Sequence, residues 1–176
     1  SVFGQRFALG ALRRLVDDPR YDCAALVEGF LVRRTGDGFL FSHALIRDAV
    51  YDTLLKARRR ELHRRAAIWF AERDPTLYAE HLDRAEDPAA APAYLAAARE
   101  QAREYRYEQA LALADRGLAF ALDGAAERFA LTCLRGELLE HLGNMPAGLT
   151  AYQAALGAAQ DDIERCRALL GIAAVK

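Results

Sequence analysis

Leu31-Val32-Arg33-Arg34-Thr35-Gly36-Asp37-Gly38-Phe39-Leu40-Phe41 is the stretch on which the fold turns. Two strand-forming runs flank Gly36-Asp37-Gly38, and an Asp-Gly pair supplies the positive backbone dihedrals that a tight hairpin turn requires. A short β-hairpin, or wing, is predicted here, and it is the only convincing strand signal in the chain. Elsewhere Ala, Leu, Arg and Glu dominate while Ile, Thr and Val are scarce, which is the usage of packed helices. The expected fold class is therefore mainly α.

Before the hairpin, Phe7 to Val16 reads as a helix with its apolar residues clustered on one side, and Tyr21 to Glu28 as a second that stops at Gly29. After it, Ser42 is placed to cap a helix in which Leu45, Ile46, Ala49, Val50, Thr53 and Leu54 recur at helical spacing. Helix, helix, hairpin, helix is the order of a winged helix. Arg58 to Arg73 continues as a helix whose Leu62, Ala66, Trp69 and Phe70 form a stripe opposite Arg60 and Arg64. Asp74-Pro75 ends it and opens the next, since Asp caps and Pro suits a first turn; the same pair recurs as Asp87-Pro88. A winged-helix-like unit over 1–73 and a helical repeat region over 74–176 are expected.

The repeat region reads as helices Pro92 to Glu104, Tyr107 to Leu122, Ala125 to Leu142, Pro146 to Gln160, and Asp162 onward, joined by short turns that favour antiparallel pairs. An offset of 38 superposes Tyr107 on Met145, Leu111 on Leu149, Gly117 on Ala155 and Leu118 on Leu156. Such a period is that of helix pairs stacked into a solenoid. Asp161 to Lys176 then looks like the first helix of a truncated third repeat, leaving Leu169, Leu170 and Ile172 without a surface to stack on. Weak self-association through that helix is the expectation.

Charge is uneven. Residues 1–75 hold 14 Lys+Arg against 10 Asp+Glu, a balance of +4, and residues 76–176 hold 10 against 15, a balance of −5. Charges interrupt every apolar stretch, so no membrane span is read and a soluble chain is expected. Cys23, Cys133 and Cys166 show no spacing for zinc or a redox pair, which fits a reducing, cytoplasmic setting. His43, His63, His81 and His141 form no HExxH arrangement, and no phosphate loop or nucleophile motif is present. The sequence thus assigns no catalytic residue, no metal site and no cofactor to this chain. With no signal peptide at its start and Met145 as its only methionine, it reads as a piece of a larger protein.

The basic run Lys56, Arg58, Arg59, Arg60, Arg64 and Arg65 is a candidate contact for an anion or acidic partner. The plainer reading is a solvated helix face whose long stems cover apolar neighbours, which Glu61 among the arginines favours. A winged helix that reads DNA offers polar and basic residues to the groove. Here Asp22-Cys23-Ala24-Ala25-Leu26-Val27-Glu28 is apolar and acid-flanked, which argues against nucleic acid as a partner. The alternative overall reading remains a DNA-binding winged-helix transcriptional regulator with a helical effector or dimerisation domain.

Ser1-Val2-Phe3-Gly4-Gln5-Arg6-Phe7, Phe39-Leu40-Phe41-Ser42-His43-Ala44-Leu45-Ile46-Arg47-Asp48-Ala49-Val50-Tyr51 and Arg59-Arg60-Glu61-Leu62-His63-Arg64-Arg65-Ala66-Ala67 together resemble one known family. It is the segment that follows the nucleotide-binding core of bacterial STAND-type signal-transduction ATPases, the ATPase modules of some class III adenylate cyclases and large LuxR-type transcriptional activators. The resemblance implies a winged helix followed by tetratricopeptide (TPR) repeats, with Ala79-Glu80-His81-Leu82-Asp83-Arg84-Ala85 like the joining helix. Leu134, Gly136, Gly143, Tyr152 and Ala155 fall on that repeat's signature spacing. It further implies that His43 lies against the phosphates of ADP in the parent protein, where Ala44 takes a place that often holds Asp in relatives. A helix start offers an anion unpaired N–H groups and partial positive charge. Arg99, Arg103, Glu137, Glu140 and His141 would then line a groove for a protein or peptide, and the absent ATPase domain of the same chain would be a further partner, with ATP or ADP as ligand of the parent.

Overall fold

The computed structural model describes residues 2–36 and 38–175. Among them ten helices account for most of the chain, and one small antiparallel sheet of three strands accompanies them. The contacts divide the chain into two compact units, residues 1–87 and 88–176.

In the first unit, β2 (Val32–Thr35) and β3 (Gly38–Phe41) pair antiparallel with Val32 opposite Phe41 and Thr35 opposite Gly38, as the hairpin reading requires. The predicted turn residue Asp37 lies outside the described residues. A third strand, β1 (Arg6–Phe7), pairs with the other edge of β3, so the order is β1-β3-β2 and the expected lone hairpin is corrected to a three-stranded sheet. The sequence pattern places Phe7 in the first helix instead; with only two residues, β1 offers no alternation to detect. Gly38 serves this pairing by its size, because a Cβ there would run into the Phe7 carbonyl. Phe39 and Phe41 point inward, and Phe7 packs against both, with centroids 5.9 and 5.6 Å away.

α1 (Leu9–Val16), α2 (Ala24–Glu28), α3 (Ala44–Asp52), α4 (Lys56–Phe70) and α5 (Pro75–Arg84) complete this unit. The Asp74-Pro75 signal is realised: the Asp74 carboxylate accepts from the Leu77 N–H at 2.9 Å. Ser42 does not cap α3, whose N-cap is His43; the Ser42 backbone N–H donates to the Leu31 carbonyl. α5 packs on α4, which is why the division by contacts follows Asp87 and not residue 73.

The second unit is a run of helices, α6 (Ala90–Arg103), α7 (Tyr107–Leu118), α8 (Ala126–His141), α9 (Met145–Ala158) and α10 (Asp162–Ala174). Each packs on the next in order, and α8 also touches α6 and α10. Asp87-Pro88 does not reproduce the earlier cap, since α6 begins two residues past Pro88 with Ala89 at its N-cap.

The 38-residue offset reappears as backbone geometry. After α8, Gly143 is left-handed (φ 76°), the Asn144 N–H donates to the Leu139 carbonyl and the Gly143 N–H to that of Glu140, the double bond of a Schellman ending. After α6 the same bonds run from Arg106 to Gln101 and from Tyr105 to Ala102, with Tyr105 left-handed at φ 60°. Every position differs by 38. The core here is built from small residues: Ala98, Ala110, Ala114 and Ala121 surround Leu131 and Leu138. Among the described residues no helix is long and apolar enough to cross a membrane.

Candidate functional site

His43 is exposed and extended (φ −139°, ψ 141°) at the start of α3, with no side-chain bond to the helix. Its own carbonyl accepts from Ile46 and Arg47, so its ring is the part left facing outward.

The basic run is largely spent inside its own unit. Arg59 donates to the carbonyls of Leu54 (2.8 Å) and Asp52 (3.0 Å), closing the end of α3, and lies over the Tyr51 ring at 4.8 Å. Arg60 and Lys56 both pair with Glu86, and Arg64 approaches Asp87 at 3.4 Å, so these side chains tie α4 to the segment after α5. Arg58 is exposed, and Arg65 pairs with Glu61. Of the candidate anion contacts, Arg59, Arg60 and Arg64 thus have partners within the unit and Arg58 stands exposed; Glu86 and Asp87, distant in sequence, could not be foreseen as those partners.

In the second unit, Arg99 and Arg103 are exposed a turn apart on α6. Glu137 and Glu140 are half-buried on α8; Glu137 reaches Arg167 of α10 at 3.9 Å. His141 stacks flat on Tyr107, with ring centroids 4.5 Å apart and planes 5° off parallel. The predicted groove residues thus divide into two exposed arginines on one helix and an acidic pair on another that is engaged with its neighbours. Burial, then the charges of Glu137 and Glu140, pushes the Tyr152 hydroxyl well above its ordinary range.

The most unusual chemistry belongs to residues to which the sequence assigned no role. His63 of α4 and His81 of α5 are 0% and 2% exposed, and their Nδ1 atoms stand 2.9 Å apart. Tyr51 of α3 brings its hydroxyl to 2.9 Å from His63 Nε2. Phe70 stacks on His81 at 5.2 Å and Phe3 meets it edge-on at 6.1 Å. Burial, followed by the nearby Arg84, lowers His63 to about 4. Burial, followed by His63 and then Arg84, lowers His81 to about 3. Both rings are neutral at physiological pH. Beside them is an open cavity of about 300 Å³ lined by Val2, Gly4, Arg47, Asp48, Tyr51, His63 and Arg84. The pair could not be found by motif search, since the two histidines lie on different helices, 18 positions apart.

Among the described residues no cluster of three or more His, Cys, Asp or Glu side chains is gathered as metal ligands would be. No protein-family model, no curated protein and no solved structure matches this chain.

Proposed function

We propose that this chain is a non-catalytic regulatory and interaction piece of a larger STAND-type signal-transduction ATPase. In this reading the first unit is winged-helix-like and relays the nucleotide state of the ATPase core. The second is the start of a TPR-like scaffold that docks a protein or peptide. The observation that carries the reading is the second unit's run of helices, each packed on the next in sequence order, with α6 and α8 closed by like turns 38 residues apart. A chain of like helix pairs offers repeated faces for a partner, and here Arg99 and Arg103 are the exposed charges on one of them. His43, outward-facing at a helix start, is suited to meet a phosphate held elsewhere in the parent. The DNA-binding alternative gains little from the arginines of α4, four of which are engaged with neighbouring carbonyls and carboxylates.

The test divides labour between parent and piece. The full reading frame is expected to encode a GxxxxGK[ST] loop upstream of Ser1, and His43→Ala in that parent to speed ADP release. This chain alone, titrated with ADP in a calorimeter, is expected to show no tight binding. Tight binding by the chain alone, or an unchanged ADP off-rate in the parent variant, would refute the proposal.

A further inference from the structure

We propose that the cavity beside Tyr51 is a proton-linked site for a small oxyanion, a sulfate-, phosphate- or carboxylate-type group, with the buried His63–His81 pair as its proton store.

A neutral imidazole carries one N–H, so a hydrogen bond between two Nδ1 atoms forces opposite tautomers on the two rings. If His63 donates, its Nε2 is bare and accepts from the Tyr51 hydroxyl, so that the cavity meets only an oxygen lone pair. If His81 donates, His63 carries its hydrogen on Nε2 and gives it to Tyr51, whose own O–H is then free to point into the cavity. Only the second arrangement offers an anion a donor from Tyr51. It also leaves His81 Nε2 bare, and a proton added there keeps every other hydrogen bond in place. Anion binding and proton uptake therefore select the same state of the chain Tyr51–His63–His81, and each must favour the other.

The charges around the cavity point the same way. Arg47 of α3 and Arg84 of α5 line it; Asp48 holds Arg47 at 2.6 Å, and Glu80 approaches Arg84 at 3.4 Å. A guanidinium has five donors, so these pairings leave donors over for an anion. The other charged groups near the relay are Arg59, over the Tyr51 face, and Asp83, buried on α5. The N-terminal segment contributes Val2, Phe3 and Gly4, which bring no charge. An anion opposite Arg84 cancels the repulsion that Arg84 exerts on an added proton.

The experiment uses this chain with 15N-labelled histidine. Sulfate is the first probe, because it keeps its charge through the acid window in which these two lowered rings take up a proton; acetate, added near neutral pH where it is ionised, is the second. Saturable shifts of the His63 and His81 ring nitrogens are expected, together with a rise in their protonation midpoint of about one pH unit and a sulfate affinity that grows as pH falls, by at most about tenfold per unit. Response to sulfate alone assigns a tetrahedral anion, and response to both probes assigns oxyanions generally. Tyr51→Phe is expected to abolish the ring response while helical circular dichroism is retained, and Arg84→Gln to weaken sulfate about tenfold. Ring nitrogens indifferent to both anions, a Tyr51→Phe chain that responds like the wild type, or an Arg84→Gln chain with unchanged affinity overturns the inference.

Discussion

Both units use alanine where their helices meet, but they fill the remaining space differently. The first closes its core with rings, Phe39 and Phe41 on the sheet and the His63–His81 pair under Phe3 and Phe70. The second closes with alanine and glycine, which let helix backbones approach until single side chains such as Leu131 and Tyr152 fill what remains. A core of rings with buried nitrogens is vulnerable to charge; a core of small residues is vulnerable to volume.

The largest test of this contrast removes volume from the second unit. Leu131→Ala empties a fully buried position between α7 and α8, and a loss of about 2–5 kcal/mol is expected, read as the shift in urea midpoint by circular dichroism. The second test adds charge to the first unit by acid. His63 and His81 have folded values lowered to about 4 and about 3, against about 6.5 in an unfolded chain, so the unfolded state binds protons first. Stability conferred by the neutral pair is complete above about pH 6.5 and declines as pH falls towards 4 and 3. Trp69, the only tryptophan, lies on α4 of the first unit, and its fluorescence should show unfolding in progressively less urea across that window.

Smaller effects sharpen the contrast. Gly117→Ala sets a Cβ 2.9 Å from that of Tyr94 and 3.0 Å from Leu131, and the crowding outweighs the gain in helix propensity by about 1 kcal/mol in chemical denaturation. Tyr105→Gly runs the other way. It relieves a left-handed tyrosine at a position whose 38-residue counterpart is already glycine, and a gain of up to about 1 kcal/mol in the same assay is expected. Thiol labelling of the native chain should modify Cys166 alone at first, because Cys23 and Cys133 are buried and burial raises both thiols, Cys133 to about 11. The order in which Cys23 and Cys133 become reactive in denaturant then reports which unit opens first.

Much of this architecture was legible in the residues because helices announce themselves by local means. Asp74-Pro75 and the small residues at offset 38 lie where the structure uses them, whereas the apolar recurrence in α3 marks the helix but not a buried face, since Leu45, Ala49, Val50 and Thr53 are exposed. What escaped depended on contacts across the chain. β1 exists only because β3 offers it an edge, and Arg60 is spent on Glu86, a pairing that local spacing does not encode. The His63–His81 contact is the clearest case, since neither histidine has a sequence neighbour that marks it and only the antiparallel packing of α4 on α5 brings the rings together.

Tyr152 also sets the phase of three helices. Its ring stands against both Gly136 of α8 and Gly171 of α10, so a single aromatic dowel from α9 engages a notch in each neighbour. Inserting or deleting one residue within any of the three helices turns everything beyond it by about 100° and carries dowel or notch out of line. Length variation in this region is therefore confined to the turns around Gly143 and Gln160, and the middle of each helix is locked in phase as gear teeth are.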